Sequence, residues 1–173
     1  MIRFPMCALL LLSTLTACGP ADPAAESGTD GTASSENDAT DAASDAVATL
    51  RKEIAELYAR DEHTAPNVEV QHILVSFAGA PRMRGVTRSK AEAEELAADL
   101  MVRIHAGEDF DALVKEYTND SHPGIYPMTT SSRSGMVAGF GDVAWRLEVD
   151  EIGVSPFHEQ DSPFGWHIIQ RRK

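Results

Sequence analysis

The chain has 173 residues, room for one globular domain with extensions. Its formal net charge is −12 and its sequence pI about 4.8, which excludes the basic footprint that non-specific nucleic-acid binding requires. Both cysteines, Cys7 and Cys18, fall near the N-terminus, so the rest of the chain has no thiol for a disulfide or for nucleophilic attack.

Arg3 supplies positive charge, Ala8-Leu9-Leu10-Leu11-Leu12 forms an apolar core, and the segment closes on Leu15-Thr16-Ala17-Cys18. The apolar stretch is too short for a conventional membrane span, so residues 1–17 read as a targeting segment. Leu-Thr-Ala-Cys resembles a bacterial lipobox, which implies a lipid on Cys18 and a membrane anchor facing the periplasm. The alternative is an ordinary signal peptide cut near Ala17, with Cys18 incidental. Gly19, not Asp, follows Cys18, so the inner-membrane retention signal of enterobacterial lipoproteins is missing and the outer membrane is the default destination.

Residues 18–46 are rich in Ala, Ser, Thr, Asp and Gly and hold almost no large apolar side chain. Such a segment buries too little surface to offset its ordering entropy and reads as a disordered acidic tether. Seven acids and no Lys or Arg lie between Gly19 and Leu50; from Arg51 onward 20 acids face 14 bases, an ordinary solvated surface. Within residues 47–64, Val47, Leu50, Ile54, Leu57 and Tyr58 recur at helical spacing. Docking on the domain and a free stalk both remain open for this helix.

The domain itself is expected over residues 67–173. Asn67–Phe77 reads as a strand carrying His72, and Ala78–Val86 as a loop with Arg82 and Arg84 exposed. Ser89 and Glu92 form a capping box ahead of a helix with Ala93, Leu96, Ala97, Leu100, Met101 and Ile104 on one face. Gly107 stops it, and Asp109 caps a shorter helix faced by Phe110, Leu113, Val114 and Tyr117. A weak strand fits around Ile125–Thr129, a helix over Met136–Leu147, a turn at Asp150–Gly153 and an edge strand at Val154–Phe157. The last strand, Phe164–Ile169, opens with Gly165 and carries His167. If it pairs with the first, two imidazoles share one sheet face. This order implies an α+β domain: a small, mostly antiparallel four-stranded sheet surrounded by about four helices.

These residues, in this order, resemble the parvulin family of peptidyl-prolyl cis/trans isomerases over Val68–Arg172. The likeness rests on His72-Ile73-Leu74-Val75, Ala106-Gly107-Glu108-Asp109-Phe110 and Tyr117-Thr118-Asn119-Asp120-Ser121. It continues through Gly135-Met136, Phe140 and Phe164-Gly165-Trp166-His167-Ile168-Ile169. It implies that His72 and His167 pair at the base of the site, and that Asp120 stands at the family's Cys-or-Asp position and acts electrostatically. It also implies that Met136 and Phe140 line the proline pocket and that Phe164 closes its side. Ser121 can add a hydroxyl. The implied substrates are Xaa-Pro polypeptides, with no metal and no cofactor. The family's usual Gly-Gly-Asp-Leu-Gly strand is absent; His122–Met128 takes its place. Arg82 and Arg84 are too sparse for a phosphate site and read as solvated, so no phosphate requirement is expected.

The missing strand favours a rival, a parvulin fold that only grips extended chains. His-Glu-Xaa-Xaa-His and Cys-Xaa-Xaa-Cys spacings are absent, which disfavours a metalloprotein. No Gly-Xaa-Ser-Xaa-Gly elbow supports Ser121 or Ser155 as a hydrolase nucleophile. Gly139-Phe140-Gly141 lacks both the preceding strand and the third glycine of a nucleotide loop.

Overall fold

The computed structural model describes the chain from Ala33 to Lys173. The targeting segment, Cys18 and tether residues 18–32 lie outside the described residues. The elements in order are α1 (Ala33–Tyr58), β1 (Asn67–Val75), α2 (Lys90–His105), α3 (Phe110–Tyr117), β2 (Ile125–Thr129), a short 3-10 turn (Arg133–Gly135), α4 (Ala138–Arg146), β3 (Ile152–Ser155) and β4 (Trp166–Arg171). The sheet order is β2-β1-β4-β3, and every pairing is antiparallel.

The first and last strands are therefore neighbours at the centre of the sheet. Alternation sends Val68, Val70, His72 and Leu74 to one face, with His167 and Ile169 beside them. Ile73, Val75, Trp166 and Ile168 go to the other face, where they meet Ala97, Leu100 and Leu113 of α2 and α3 in one apolar cluster. The first face builds a second cluster with Phe140, Val143, Ala144 and Trp145 of α4.

The helix starts follow local chemistry. Ser89 Oγ accepts from the Glu92 amide at 3.2 Å, and Glu92 Oε2 accepts from the Ser89 amide at 2.6 Å. Asp109 Oδ1 accepts from the Ala112 amide at 2.8 Å to start α3. Gly165 enters β4 at φ +140°, where an added Cβ would stand 2.2 Å from the Val75 carbonyl oxygen.

Several boundaries differ from the sequence reading. Helix α1 starts at Ala33, not Val47, so the disordered tether does not extend to residue 46. Low hydropathy hides the reason: Ala33, Ala39, Ala42, Ala43 and Ala46 are strong helix formers, and no Gly or Pro interrupts them. The same helix docks as part of the domain, so the body of the fold does not begin at residue 67. Leu50 is buried in one apolar cluster and Leu57 in the other. The Asp150–Gly153 turn is shorter than expected: Ile152 and Gly153 belong to β3, and the bare Gly153 lets the Leu57 and Leu147 side chains close on it. Helix α4 begins at Ala138, leaving Met136 and Val137 extended ahead of it. Strand β2 forms in place of the family's glycine-rich strand and pairs with β1 from Asn67↔Thr129 to Gln71↔Ile125. Its edge position accommodates Pro127, which has no N–H to donate. Among the described residues no helix is long and apolar enough to cross a membrane.

Candidate functional site

Six residues singled out by the sequence line one cavity of about 410 Å³: His72, Asp120, Met136, Phe140, Phe164 and His167. Strands β1 and β4 bring the histidines together. His167 lies opposite Leu74, one step diagonal to His72 on the same face. The rings are stacked with centroids 5.3 Å apart, and the two Nδ1 atoms are 3.2 Å from each other.

Asp120 reaches His72 from the loop after α3, and that loop is stitched to β1. The Asn119 amide donates to the Leu74 carbonyl at 2.8 Å, and the Leu74 amide donates to Thr118 Oγ1 at 3.1 Å. The Ser76 amide donates to Asn119 Oδ1 at 2.9 Å. Just beyond, the His72 amide donates to the Gly124 carbonyl at 3.0 Å. A Cβ on Gly124, at φ +64°, would meet the His72 carbonyl at 2.8 Å, so glycine permits this approach.

The polar row then runs across the cavity floor. Asp120 Oδ2 lies 3.1 Å from His72 Nε2 and accepts from the Tyr126 hydroxyl at 2.7 Å. A carboxylate only accepts, so His72 Nε2 carries the hydrogen. In the neutral pair His72 Nδ1 accepts from His167 Nδ1–H, and His167 Nε2 keeps its lone pair. Among the described residues that buried Nε2 has no hydrogen-bond partner. The His72 hydrogen bond, followed by that of Tyr126, holds the Asp120 carboxyl far below its ordinary range, against the opposing effect of partial burial. Burial, then the neighbouring His72, pushes His167 down to about 3, so it stays neutral. Burial, then the Asp120 contact, raises the Tyr126 phenol.

The apolar wall rises over this floor. Phe140 is fully buried and sets its ring edge-on to His72 at 5.0 Å and to His167 at 5.4 Å. Met136 and Val137 line the cavity with it, half-buried, as does Phe164. Ser121 is exposed at the loop.

Three contributors were missed. Tyr126 packs edge-on to His72 at 5.3 Å, yet in the sequence it is one aromatic between prolines. Gln71 is buried next to His72; its Nε2 donates to the Pro123 carbonyl at 2.9 Å and to Asp111 Oδ1 at 2.7 Å, steadying the Asp120 loop. Arg82 is exposed, as read, and it also lines the cavity, its guanidinium 6.0 Å from the Phe164 ring centre. The alternation of β1 marks Gln71 as facing away from His72, but nothing local announces its partners. Among the described residues, no three His, Cys, Asp or Glu side chains gather as a metal-ion site.

Strands β1 and β4 thus gather a histidine pair, a carboxylate held ionised beside it and an apolar wall in one cavity of a parvulin-type fold. The PPIC-type PPIase domain model matches residues 52–172, and the chain belongs to that family. The match includes the last two turns of α1, residues 52–58, in keeping with its docking on the domain. Foldase protein PrsA 4 of Bacillus cereus is 30% identical over 113 residues, which cover 63% of this chain and 32% of that protein. Chaperone SurA of Pseudomonas aeruginosa is 33% identical over 105 residues, 60% of this chain and 22% of that one. The chain thus spans a third or less of the length of these curated relatives. The fold is also that of the peptidyl-prolyl isomerase ESS1 from Candida albicans, with a TM-score of 0.55 and 18% identity over 73% of this chain and 74% of that one.

Proposed function

We propose that this protein accelerates cis/trans interconversion of Xaa-Pro bonds in exported or envelope polypeptides, tethered to a bacterial membrane, by default the outer one, through a lipid on Cys18. The observation that carries the catalytic part is the row Asp120–His72–His167 lying under the Met136–Phe140–Phe164 wall in one cavity. The anchor rests on Leu15-Thr16-Ala17-Cys18 alone.

Rotation about the prolyl bond is slow because the planar amide has partial double-bond character. In that planar form the carbonyl oxygen carries extra negative charge and the nitrogen positive charge. Twisting removes both. A fixed carboxylate facing the carbonyl disfavours the planar form more than the twisted one, which lowers the barrier by differential binding. Asp120 is the group suited to this, since two donors hold it ionised and in place. His72 orients Asp120, and His167, neutral and buried, orients His72. The apolar wall grips the proline ring while the chain before it rotates. No covalent intermediate is needed, and each tenfold acceleration requires about 1.4 kcal/mol.

The second reading is a binding module for extended chains with weak turnover, favoured by the likeness to Chaperone SurA. Asp120→Ala separates the two. Under the isomerase reading it lowers the interconversion rate by about tenfold or more while peptide affinity stays within about twofold. If the wild type binds proline peptides without accelerating them, the binding-module reading replaces it.

A further inference from the structure

We propose that Arg133 is the positioning residue that holds the Met136–Val137 wall in register, and that it therefore sets affinity for the proline-containing chain and not turnover. The proposal rests on the reading of this cavity as the prolyl pocket.

The Met136 amide donates to the Arg133 carbonyl at 3.0 Å, so the placement of Arg133 bears directly on that of the wall. Met136 and Val137 are extended, with φ/ψ of −97°/163° and −64°/140°, between the 3-10 turn and α4. The preceding loop, Thr129-Thr130-Ser131-Ser132, is exposed, and its side-chain bonds are local. Arg133 alone among residues 129–135 turns inward and is half-buried. Its Nη1 and Nη2 donate to the two Glu62 oxygens at 2.6 and 2.7 Å, and Nη2 also donates to Asp142. Its guanidinium lies 5.0 Å from the Trp145 ring centre. Arg146 braces the same acid, donating to Glu62 Oε1 at 2.9 Å and to the Arg60 carbonyl at 3.1 Å.

The platform is fixed independently. The Trp145 indole donates to the Ala65 carbonyl at 3.1 Å, and the His63 amide donates to the Trp145 carbonyl at 2.8 Å. Gly141 supplies the second observation. A Cβ there would stand 2.9 Å from Arg133 Nε and 3.0 Å from its Cγ, so α4 is bare where the arginine crosses it. Charge pairs at this depth contribute little net stability once desolvation is counted, but a bidentate guanidinium–carboxylate pair fixes direction well. The network's main product is therefore the geometry of the wall.

The test uses the full chain and measures KM, kcat and peptide affinity for an Xaa-Pro peptide in Arg133→Gln, Arg133→Lys and Gly141→Ala. Arg133→Gln raises KM about tenfold with kcat within about twofold, the signature of lost uniform binding. Arg133→Lys restores only part, because an ammonium cannot make the paired contact. Gly141→Ala moves KM the same way with every charge intact. A simple loss of folded protein would lower apparent kcat and leave KM unchanged. Wild-type KM in folded Arg133→Gln overturns the proposal; if that variant does not fold, wild-type KM in Gly141→Ala does so. A wild type that binds the peptide without turning it over ends the isomerase reading, and weaker binding by Arg133→Gln still supports the role of Arg133. A wild type that does neither overturns both.

Discussion

Replacing Tyr126 by Phe removes one hydroxyl and keeps the ring that packs against His72 and Phe140. The lost contact is the 2.7 Å donation to Asp120 Oδ2, one of two side-chain donors on that oxygen. A hydrogen bond to a charged group contributes about 1.5–3 kcal/mol when shielded from water. The Asp120 side chain is 36% exposed, so water replaces much of it and about 1 kcal/mol remains. Losing that donor moves the Asp120 pKa up, toward its ordinary value. The sign follows from linkage. A carboxyl depressed in the folded state contributes stability above its unfolded pKa of about 3.9, and that contribution is lost as pH falls through the folded value. Tyr126→Phe should therefore be less stable by about 1 kcal/mol at pH 7, and the deficit should persist below about pH 4 and shrink only as pH falls through the depressed folded-state value. Carbon NMR of the Asp120 carboxyl across acid pH, with urea unfolding at pH 7, measures both. An unchanged titration and unchanged stability would refute the assigned role of Tyr126.

The other predictions concern stability. His167 is held neutral at a pKa of about 3, against about 6.5 unfolded, so its contribution is full above pH 6.5 and lost as pH falls from there through 3. Wild type should lose about 2 kcal/mol from this group between pH 6.5 and 5, and His167→Leu should lose correspondingly less over the same range in urea unfolding. Gly165→Ala places a methyl against the Val75 carbonyl at φ +140° and should cost about 3 kcal/mol or more, visible as a lower melting temperature. Leu50→Ala should cost about 2–5 kcal/mol, since Leu50 is 1% exposed in the core; a wild-type melt would contradict the docking of α1.

Much of this site is legible because strands have period 2. His72 and His167 each sit within a β-branched run, and a single antiparallel pairing puts both on one face. The caps at Ser89 and Asp109 are equally local, a hydroxyl or carboxylate three residues from its donor. What stayed hidden depends on distant partners. Tyr126 acquires meaning only when the edge strand pairs with β1 and swings its hydroxyl onto Asp120. Glu62 and Arg133 are 71 positions apart, and Gln71 and Arg172 are 101 apart. Apolar spacing also extends α4 back to Met136, because a pocket-lining methionine and a core methionine read alike. The N-terminal half of α1 was misread for the opposite reason: small side chains offer little to bury yet carry high helix propensity.

The most direct test is exchange NMR of an Xaa-Pro peptide panel with catalytic amounts of the protein, beside Asp120→Ala and Met136→Ala. The account predicts faster cis/trans interconversion with wild type, lost in both variants while both remain folded. A well-folded wild type that leaves every peptide at its uncatalysed rate would contradict it.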